Sequence, residues 1–156
     1  MRLPFLVVCG CLIRLRACLL AGSRSARGRR PRVRRLFFAA TGTSQAKGKE
    51  FVERIFSREQ DRDEIPALAV RDAQAEAITD WGIPDPSKLA RLAGITQPTL
   101  VANGNSDIMV PTVNSYLLAG HIPNAELIIY PDAGHGFLFQ YPHEFAVEVN
   151  KFLGAA

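Results

Sequence analysis

The chain has 156 residues, of which 47% are hydrophobic and 22% are charged. This length suits one ordinary domain, and this composition excludes disorder over the whole chain. The net charge of +4 averages two unlike parts, because residues 1–35 hold 10 of the 19 Lys and Arg residues and none of the 15 Asp and Glu residues. The remainder carries −6, so it offers no basic face for nucleic acid or an acidic membrane, and we predict neither partner.

Residues 1–35 are rich in Arg and contain no acidic residue. Their apolar run Leu3–Ile13 loosely resembles a secretory signal, which Arg14 and Arg16 interrupt, and the Arg-rich composition is also typical of a mitochondrial presequence. The run is too short to span a bilayer. We interpret the segment as disordered or as DNA read out of frame. If the segment is not a targeting signal, we predict a cytoplasmic location. If it is one, the alternative is a secreted or mitochondrial location.

Cysteine and histidine usage gives no metal or cofactor pattern. All three cysteines lie in the Arg-rich segment, at an odd count and without clustered histidines: Cys9, Cys11 and Cys18. This excludes a disulfide framework or a zinc site as the interpretation. His121 and His143 are expected to be surface residues at helix ends. We therefore predict no cofactor and no metal.

Residues 36–95 form the second predicted segment, a helical region. Apolar residues at helical spacing predict a helix over about Thr43–Phe56, with Ser44 as its N-cap. A second helix is expected over about Pro66–Trp81, and a short one over Ser87–Ala93.

Residues 96–156 form the third segment and alternate strands with helices. The apolar runs Thr99–Ala102 and Ala125–Tyr130 predict strands buried on both faces. Helices are expected over Thr112–Gly120 and Pro142–Leu153. This alternation is typical of an α/β fold with a parallel sheet, here of two or three strands with flanking helices.

Two side chains that can handle protons follow the two predicted strands. Asp107 lies in the loop after the first strand, and His135 lies in the loop after the second. Because the carboxyl ends of adjacent parallel strands meet at one edge of a sheet, we expect these side chains to lie close together. An Asp beside a His fixes the imidazole tautomer and stabilises the imidazolium. Asp132 is a competing acid, although the turn Pro-Asp-Ala-Gly explains it adequately.

The motifs around these residues resemble the C-terminal part of the α/β-hydrolases. The resemblance is carried by PTLVANGNSDIMVP at Pro98–Pro111 and by YPDAGH at Tyr130–His135. It extends more weakly over residues 36–95, which are similar to the cap region of such enzymes. The resemblance implies that Asp107 is the acid and His135 the general base of a Ser-Asp-His triad. Trp81 and the pair Phe137 and Phe139 could line an acyl pocket, although core packing is the more common role of such aromatics.

The nucleophile of such a triad is missing from the sequence. The family carries it in a G-x-S-x-G turn, which occurs nowhere in the chain, and the nearest segment, Gly22–Ala26, does not match. We therefore predict a truncated hydrolase for ester-like bonds, which would bind a small-molecule substrate once the missing half is supplied. The alternative is a non-catalytic remnant or interaction module with the C-terminal hydrolase fold.

Overall fold

The computed structural model describes residues 5–8, 33–57, 59–60, 67–83 and 85–155. Its elements are, in chain order, β1 (Phe5–Val8), α1 (Gly42–Ser57), α2 (Leu68–Trp81), α3 (Pro86–Ala90), β2 (Thr99–Gly104), α4 (Val113–His121), β3 (Ala125–Tyr130), α5 (Phe137–Gln140) and α6 (Pro142–Ala155). A further helical turn at residues 33–37 precedes α1, and a 3₁₀ turn, Arg91–Gly94, follows α3. The predicted α/β arrangement is confirmed.

The three strands form one parallel sheet in the order β1-β2-β3. Thr99 of β2 lies beside Phe5 on one side and beside Ala125 on the other. All six residues of β2 are buried, as predicted for a central strand. The prediction that β3 is equally buried is wrong, since Tyr130 alone of its six residues is fully buried. As the last strand of the described sheet, β3 has a strand neighbour on one side only.

Strand β1 was not expected from the sequence. Residues 1–35 were predicted to be disordered or out of frame, and within them the structure shows a strand at Phe5–Val8 and the start of a helical turn at residue 33. The sequence Phe-Leu-Val-Val consists of residue types that favour strands, and the edge of β2 supplies the backbone partners. The out-of-frame interpretation and the boundaries at residues 35 and 95 stay predictions. The three cysteines lie outside the described residues.

The predicted helices are confirmed, with changes at their ends. Helix α1 begins at Gly42, and its N-cap is Thr41 rather than Ser44, because the Thr41 hydroxyl accepts the Ser44 N–H at 3.3 Å. Helix α2 begins at Leu68, while Pro66 lies outside the described residues. The single turn α5, between β3 and α6, was not predicted.

Two clusters of aromatic side chains form much of the core. One contains Tyr130 and Phe137, with Phe145 packed against them. Burial in this cluster raises the pKa of the Tyr130 hydroxyl. In the other, Phe139 stacks on Phe51 of α1 with ring centroids 4.3 Å apart. Both phenylalanines considered for an acyl pocket are therefore packing residues. The side chain of Trp81 lies outside the described part of the structure.

Within the described ranges, no helix combines the length and the apolar character needed to cross a bilayer.

Candidate active site

Asp107 is held in a tight turn after β2. Its Oδ1 accepts the backbone N–H groups of Met109 and Val110 at 2.8 and 2.9 Å. The turn itself is fixed by Asn103 at the end of β2, whose Nδ2 donates to the Val110 carbonyl at 3.2 Å. The Asp107 side chain is fully buried. Two amide donors therefore fix one carboxylate oxygen and direct the other, Oδ2, towards the neighbouring loop.

That oxygen meets His135. The distance from Asp107 Oδ2 to His135 Nδ1 is 2.9 Å, so the two predicted residues share a hydrogen bond. The imidazole is 28% exposed, and its Nε2 has no hydrogen-bond partner among the described residues. With Nδ1 donating to the carboxylate, Nε2 is the nitrogen left to accept a proton from solvent or from a substrate group.

The loops that carry the two residues are bonded directly to each other. The N–H of Asn105 donates to the Tyr130 carbonyl, and the N–H of Ser106 donates to the Ala133 carbonyl, both at 2.9 Å. Gly104 makes this approach possible, because a Cβ at this position would overlap the carbonyl oxygens of Ala133 and Gly134. The spacing of the acid and the base is therefore set by backbone contacts and by the absence of a side chain at residue 104.

The segment before α1 also contacts the loop that carries His135, and no local pattern in the sequence predicted this contact. The Phe37 ring lies edge-on to the imidazole, with centroids 5.4 Å apart and planes at 79°. The Phe37 carbonyl accepts the Gly136 N–H at 2.6 Å. A Cβ at Gly134 or Gly136 would lie within 3 Å of that same carbonyl oxygen. The two glycines that flank His135 therefore allow this segment to pack closely against the loop.

Asp132 is not the acid that partners His135. Its carboxylate accepts the hydroxyls of Thr41 and Thr43 at 2.5 Å each, at the N-terminus of α1. Its backbone has a φ of 50°, and it is the only non-glycine residue with a positive φ in the described chain. The sequence offered no signal for these contacts, because donors and acceptor lie about 90 positions apart.

Ser44 lies in Gly42-Thr43-Ser44-Gln45-Ala46, at the start of a helix, where a nucleophilic serine would be expected to lie. Its hydroxyl is completely buried, accepts the Ala39 N–H at 2.9 Å and donates to Gln140 Oε1 at 2.7 Å. It makes no hydrogen bond to His135. Ser44 is therefore a structural residue.

Hydrogen bonds from Thr41 and Thr43 lower the pKa of Asp132 below its ordinary value of 3.8. A lowered pKa in the folded state stabilises the fold above the unfolded pKa, and this contribution is lost as the pH falls through the folded value. We therefore expect Thr41→Val/Thr43→Val to destabilise the chain at pH 7, and we expect this effect to shrink as the pH falls from 3.8 through the lowered pKa of Asp132. Below that pKa only the loss of the Thr41 N-cap contact to the Ser44 N–H remains. Urea unfolding at several pH values measures this. An equal effect at all pH values would contradict the assignment of the contact to the charged carboxylate.

The other histidines behave as surface residues. His121 is the last residue of α4 and is exposed, with Nδ1 2.8 Å from the Leu117 carbonyl oxygen. His143 is exposed in the first turn of α6. No group of three or more His, Cys, Asp or Glu side chains with the geometry of a metal site occurs in the part of the chain that the structure describes.

Comparison with known proteins points to one fold. The sequence model of the alpha/beta hydrolase fold matches residues 12–142. The structure superposes on an alpha/beta hydrolase fold protein from Chitinophaga pinensis with a TM-score of 0.83 and 30% identity, covering 99% of this chain and 57% of that one.

Two curated relatives match over shorter stretches. A poly(3-hydroxyalkanoate) depolymerase from Ectopseudomonas oleovorans is 48% identical over 59 residues, which are 38% of this chain and 20% of that protein. A 2-hydroxy-6-oxononadienedioate/2-hydroxy-6-oxononatrienedioate hydrolase from Cupriavidus pinatubonensis is 39% identical over 83 residues, which are 53% of this chain and 26% of that protein. The matches thus cover under a third of these relatives.

Proposed function

The chain belongs to the α/β-hydrolase family, and from this premise we propose that it carries the acid and the base of a Ser-Asp-His hydrolase for ester-like bonds. The observation that carries the proposal is the 2.9 Å hydrogen bond between Asp107 Oδ2 and His135 Nδ1. The orientation of the carboxylate is fixed, since two backbone amides bind Asp107 Oδ1 and leave Oδ2 to face His135. The buried acid and the partly exposed base have the arrangement that nucleophilic catalysis requires.

In this function His135 works as a proton carrier. Its Nε2 takes the proton from a serine hydroxyl as the oxygen attacks the carbonyl carbon of the substrate, and it returns that proton to the departing alcohol. Asp107 holds the ring proton on Nδ1 and stabilises the imidazolium formed in between. A water molecule, activated by the same Nε2, then cleaves the acyl-enzyme. Each step uses the exposed edge of the imidazole.

We place the nucleophile outside these 156 residues. The sequence contains no G-x-S-x-G, and Ser44 is buried away from His135. The ester-like bond is inferred by analogy with the depolymerase from Ectopseudomonas oleovorans and with a pimeloyl-[acyl-carrier protein] methyl ester esterase from Nitrosomonas europaea, 30% identical over 56 residues, which are 36% of this chain and 22% of that protein. That the substrate is a small molecule is part of our proposal and does not come from these two relatives.

The 156-residue chain is expected to hydrolyse no p-nitrophenyl ester and to resist labelling by a fluorophosphonate, because both reactions need an activated serine. The absorbance of released p-nitrophenol measures hydrolysis, and mass spectrometry of the protein after treatment with the fluorophosphonate measures labelling. His135→Ala is the control for any residual rate. Turnover that His135→Ala abolishes would contradict the absence of a nucleophile and leave the acid and base assignment standing.

The location of the nucleophile has its own test. Translation of the genomic DNA upstream of the Leu36 codon in all three frames should show a G-x-S-x-G roughly 100 residues earlier. We call a chain in which that segment precedes residues 5–156, so that β1 is kept, the extended chain, and we expect it to hydrolyse p-nitrophenyl esters. An extended chain that stays inactive, although it folds, would contradict the proposed function.

A second candidate is a non-catalytic interaction module, which is favoured by the missing G-x-S-x-G and by a parallel sheet of only three described strands. Parallel sheets are normally flanked and covered, so such a module would need a partner that adds strands. Size-exclusion chromatography and thermal melting of the 156-residue chain discriminate between the two. A monodisperse monomer with a cooperative transition would count against the module.

A further inference from the structure

The loop from Pro131 to Gly136, here called the His135 loop, is hydrogen-bonded to several other parts of the chain, three of which are distant from it in sequence. Ala133 is bonded to the loop after β2, through its carbonyl to the Ser106 N–H. Gly136 is bonded to the Phe37 carbonyl. The third attachment is Asp132, whose two carboxylate oxygens accept the hydroxyls of Thr41 and Thr43. This third attachment is made by a charged carboxylate, as is the hydrogen bond between His135 and Asp107.

The Asp132 contacts are made to a charged acceptor. Both carboxylate oxygens are used, and each hydrogen bond is charge-assisted, which makes it stronger than a bond between neutral groups even though the contacts are exposed. The acceptor is a negative charge at the N-terminus of a 16-residue helix, where the helix dipole favours an anion. The Asp132 side chain therefore has one well-defined position relative to α1.

A second connection runs in parallel and is partly buried. The side chain of Gln140 donates from Nε2 to the Asp132 carbonyl at 2.7 Å and accepts the Ser44 hydroxyl at its Oε1. Ser44 belongs to the same first turn of α1 as Thr43. The backbone and the carboxylate of Asp132 are therefore both attached to one helix end, which opposes rotation about its positive φ.

We propose that Asp132 is a positioning residue, which attaches the His135 loop to the N-terminus of α1 and so holds the imidazole with Nδ1 against Asp107. The inference rests on the proposed function, because it assigns a residue that acts through the base. His135 lies three residues beyond Asp132, so a rotation at Asp132 would move the imidazole directly. The helix α1 belongs to the segment that resembles a cap, and the contact links that segment to the proton-carrying residue.

The test measures the His135 ring proton in the 156-residue chain. Two-bond ¹H–¹⁵N correlation spectra report which ring nitrogen carries the proton, and the exchange rate of Nδ1–H reports how firmly the ring is held. The wild-type chain is expected to carry the proton on Nδ1. Thr41→Val/Thr43→Val removes both donors at almost constant volume, and we expect the Nδ1–H of this variant to exchange about tenfold faster or more, as local opening becomes easier.

Three further variants keep the test sharp. Thr41→Ser/Thr43→Ser retains both hydroxyls and should restore the wild-type exchange rate. Asp132→Asn tolerates the positive φ and keeps one carbonyl oxygen, so an intermediate rate is expected even if the double valine variant fails to fold. Thr79→Val is the matched control, since the Thr79 hydroxyl donates to the Ala75 carbonyl of its own helix, and its rate should equal that of the wild type.

The outcomes separate the two proposals. A wild-type chain without a proton on Nδ1 would contradict the proposed function itself. A wild-type chain with this proton, combined with unchanged exchange in Asp132→Asn and in the double valine variant, would overturn only the positioning role. Faster exchange that the serine variant fails to reverse would also overturn it, because the effect would then come from packing rather than from the hydroxyls.

Discussion

Asp107→Asn is expected to lower kcat of the extended chain for p-nitrophenyl acetate by roughly 10⁴-fold while leaving the fold intact. The carbonyl oxygen of the asparagine can still accept the Met109 and Val110 amides, as Oδ1 does now. Its NH₂ group then takes the place of Oδ2 and faces His135 Nδ1. Because two donors cannot bond each other, the ring proton moves to Nε2, which can no longer accept the proton of the nucleophile.

A second substitution at the same position separates catalysis from stability. Asp107→Ala leaves two amides and one ring N–H without an acceptor in a buried turn, so the free energy of unfolding should fall by about 2 to 4 kcal/mol, whereas the asparagine variant should lose about 1 kcal/mol or less. Asp85→Asn, at the exposed N-cap of α3, is the matched control and should keep full activity. An asparagine variant at position 107 that retains kcat within about tenfold of the wild type would remove Asp107 from the triad.

Gly104→Ala should be the most destabilising single methyl group that can be added to the site. The new Cβ would overlap the carbonyl oxygens of Ala133 and Gly134, and backbone atoms cannot move aside as flexible side chains can. We expect a loss of about 3 kcal/mol or more in the free energy of unfolding, together with loss of the His135 Nδ1–H signal, because the two loops are forced apart.

Gly120 provides the control for this prediction. It lies in α4, and a methyl group added there would meet no atom within 4 Å, so Gly120→Ala should raise stability by about 0.5 to 1 kcal/mol. Urea unfolding of the 156-residue chain measures both variants. Equal stabilities of the two alanine variants would show that the loops tolerate separation, and would contradict the role assigned to Gly104.

The sequence predicted those parts of the site that depend on local pattern. The apolar runs at Thr99–Ala102 and Ala125–Tyr130 located β2 and β3, and the polar loops after them located Asp107 and His135. Parallel pairing of adjacent strands then brought the two residues together, as expected from the rule that loops at the carboxyl ends of strands share one edge. The positions of the strands and loops follow from short apolar and polar runs in the sequence. The meeting of Asp107 and His135 follows from the pairing of two neighbouring strands.

The features that were missed depend on tertiary contacts. Both Thr41 and Ser44 are acceptable N-cap residues, and the difference was decided by Gln140, nearly 100 positions away, which takes the Ser44 hydroxyl. Strand β1 was missed because four apolar residues within an Arg-rich segment carry no period that distinguishes them from a signal sequence, and the backbone partners lie in β2.

The order of the strands also has a consequence for how the molecule acquires its structure. Pairing β1 with β2 joins Phe5 to Thr99, whereas β2, α4 and β3 form a continuous stretch in which Asp107 and His135 are only 28 positions apart. Closing the longer loop costs more chain entropy, and contacts of high sequence separation form slowly. The acid and the base are thus expected to meet early in folding, within a local unit that assembles before β1 is added to its edge.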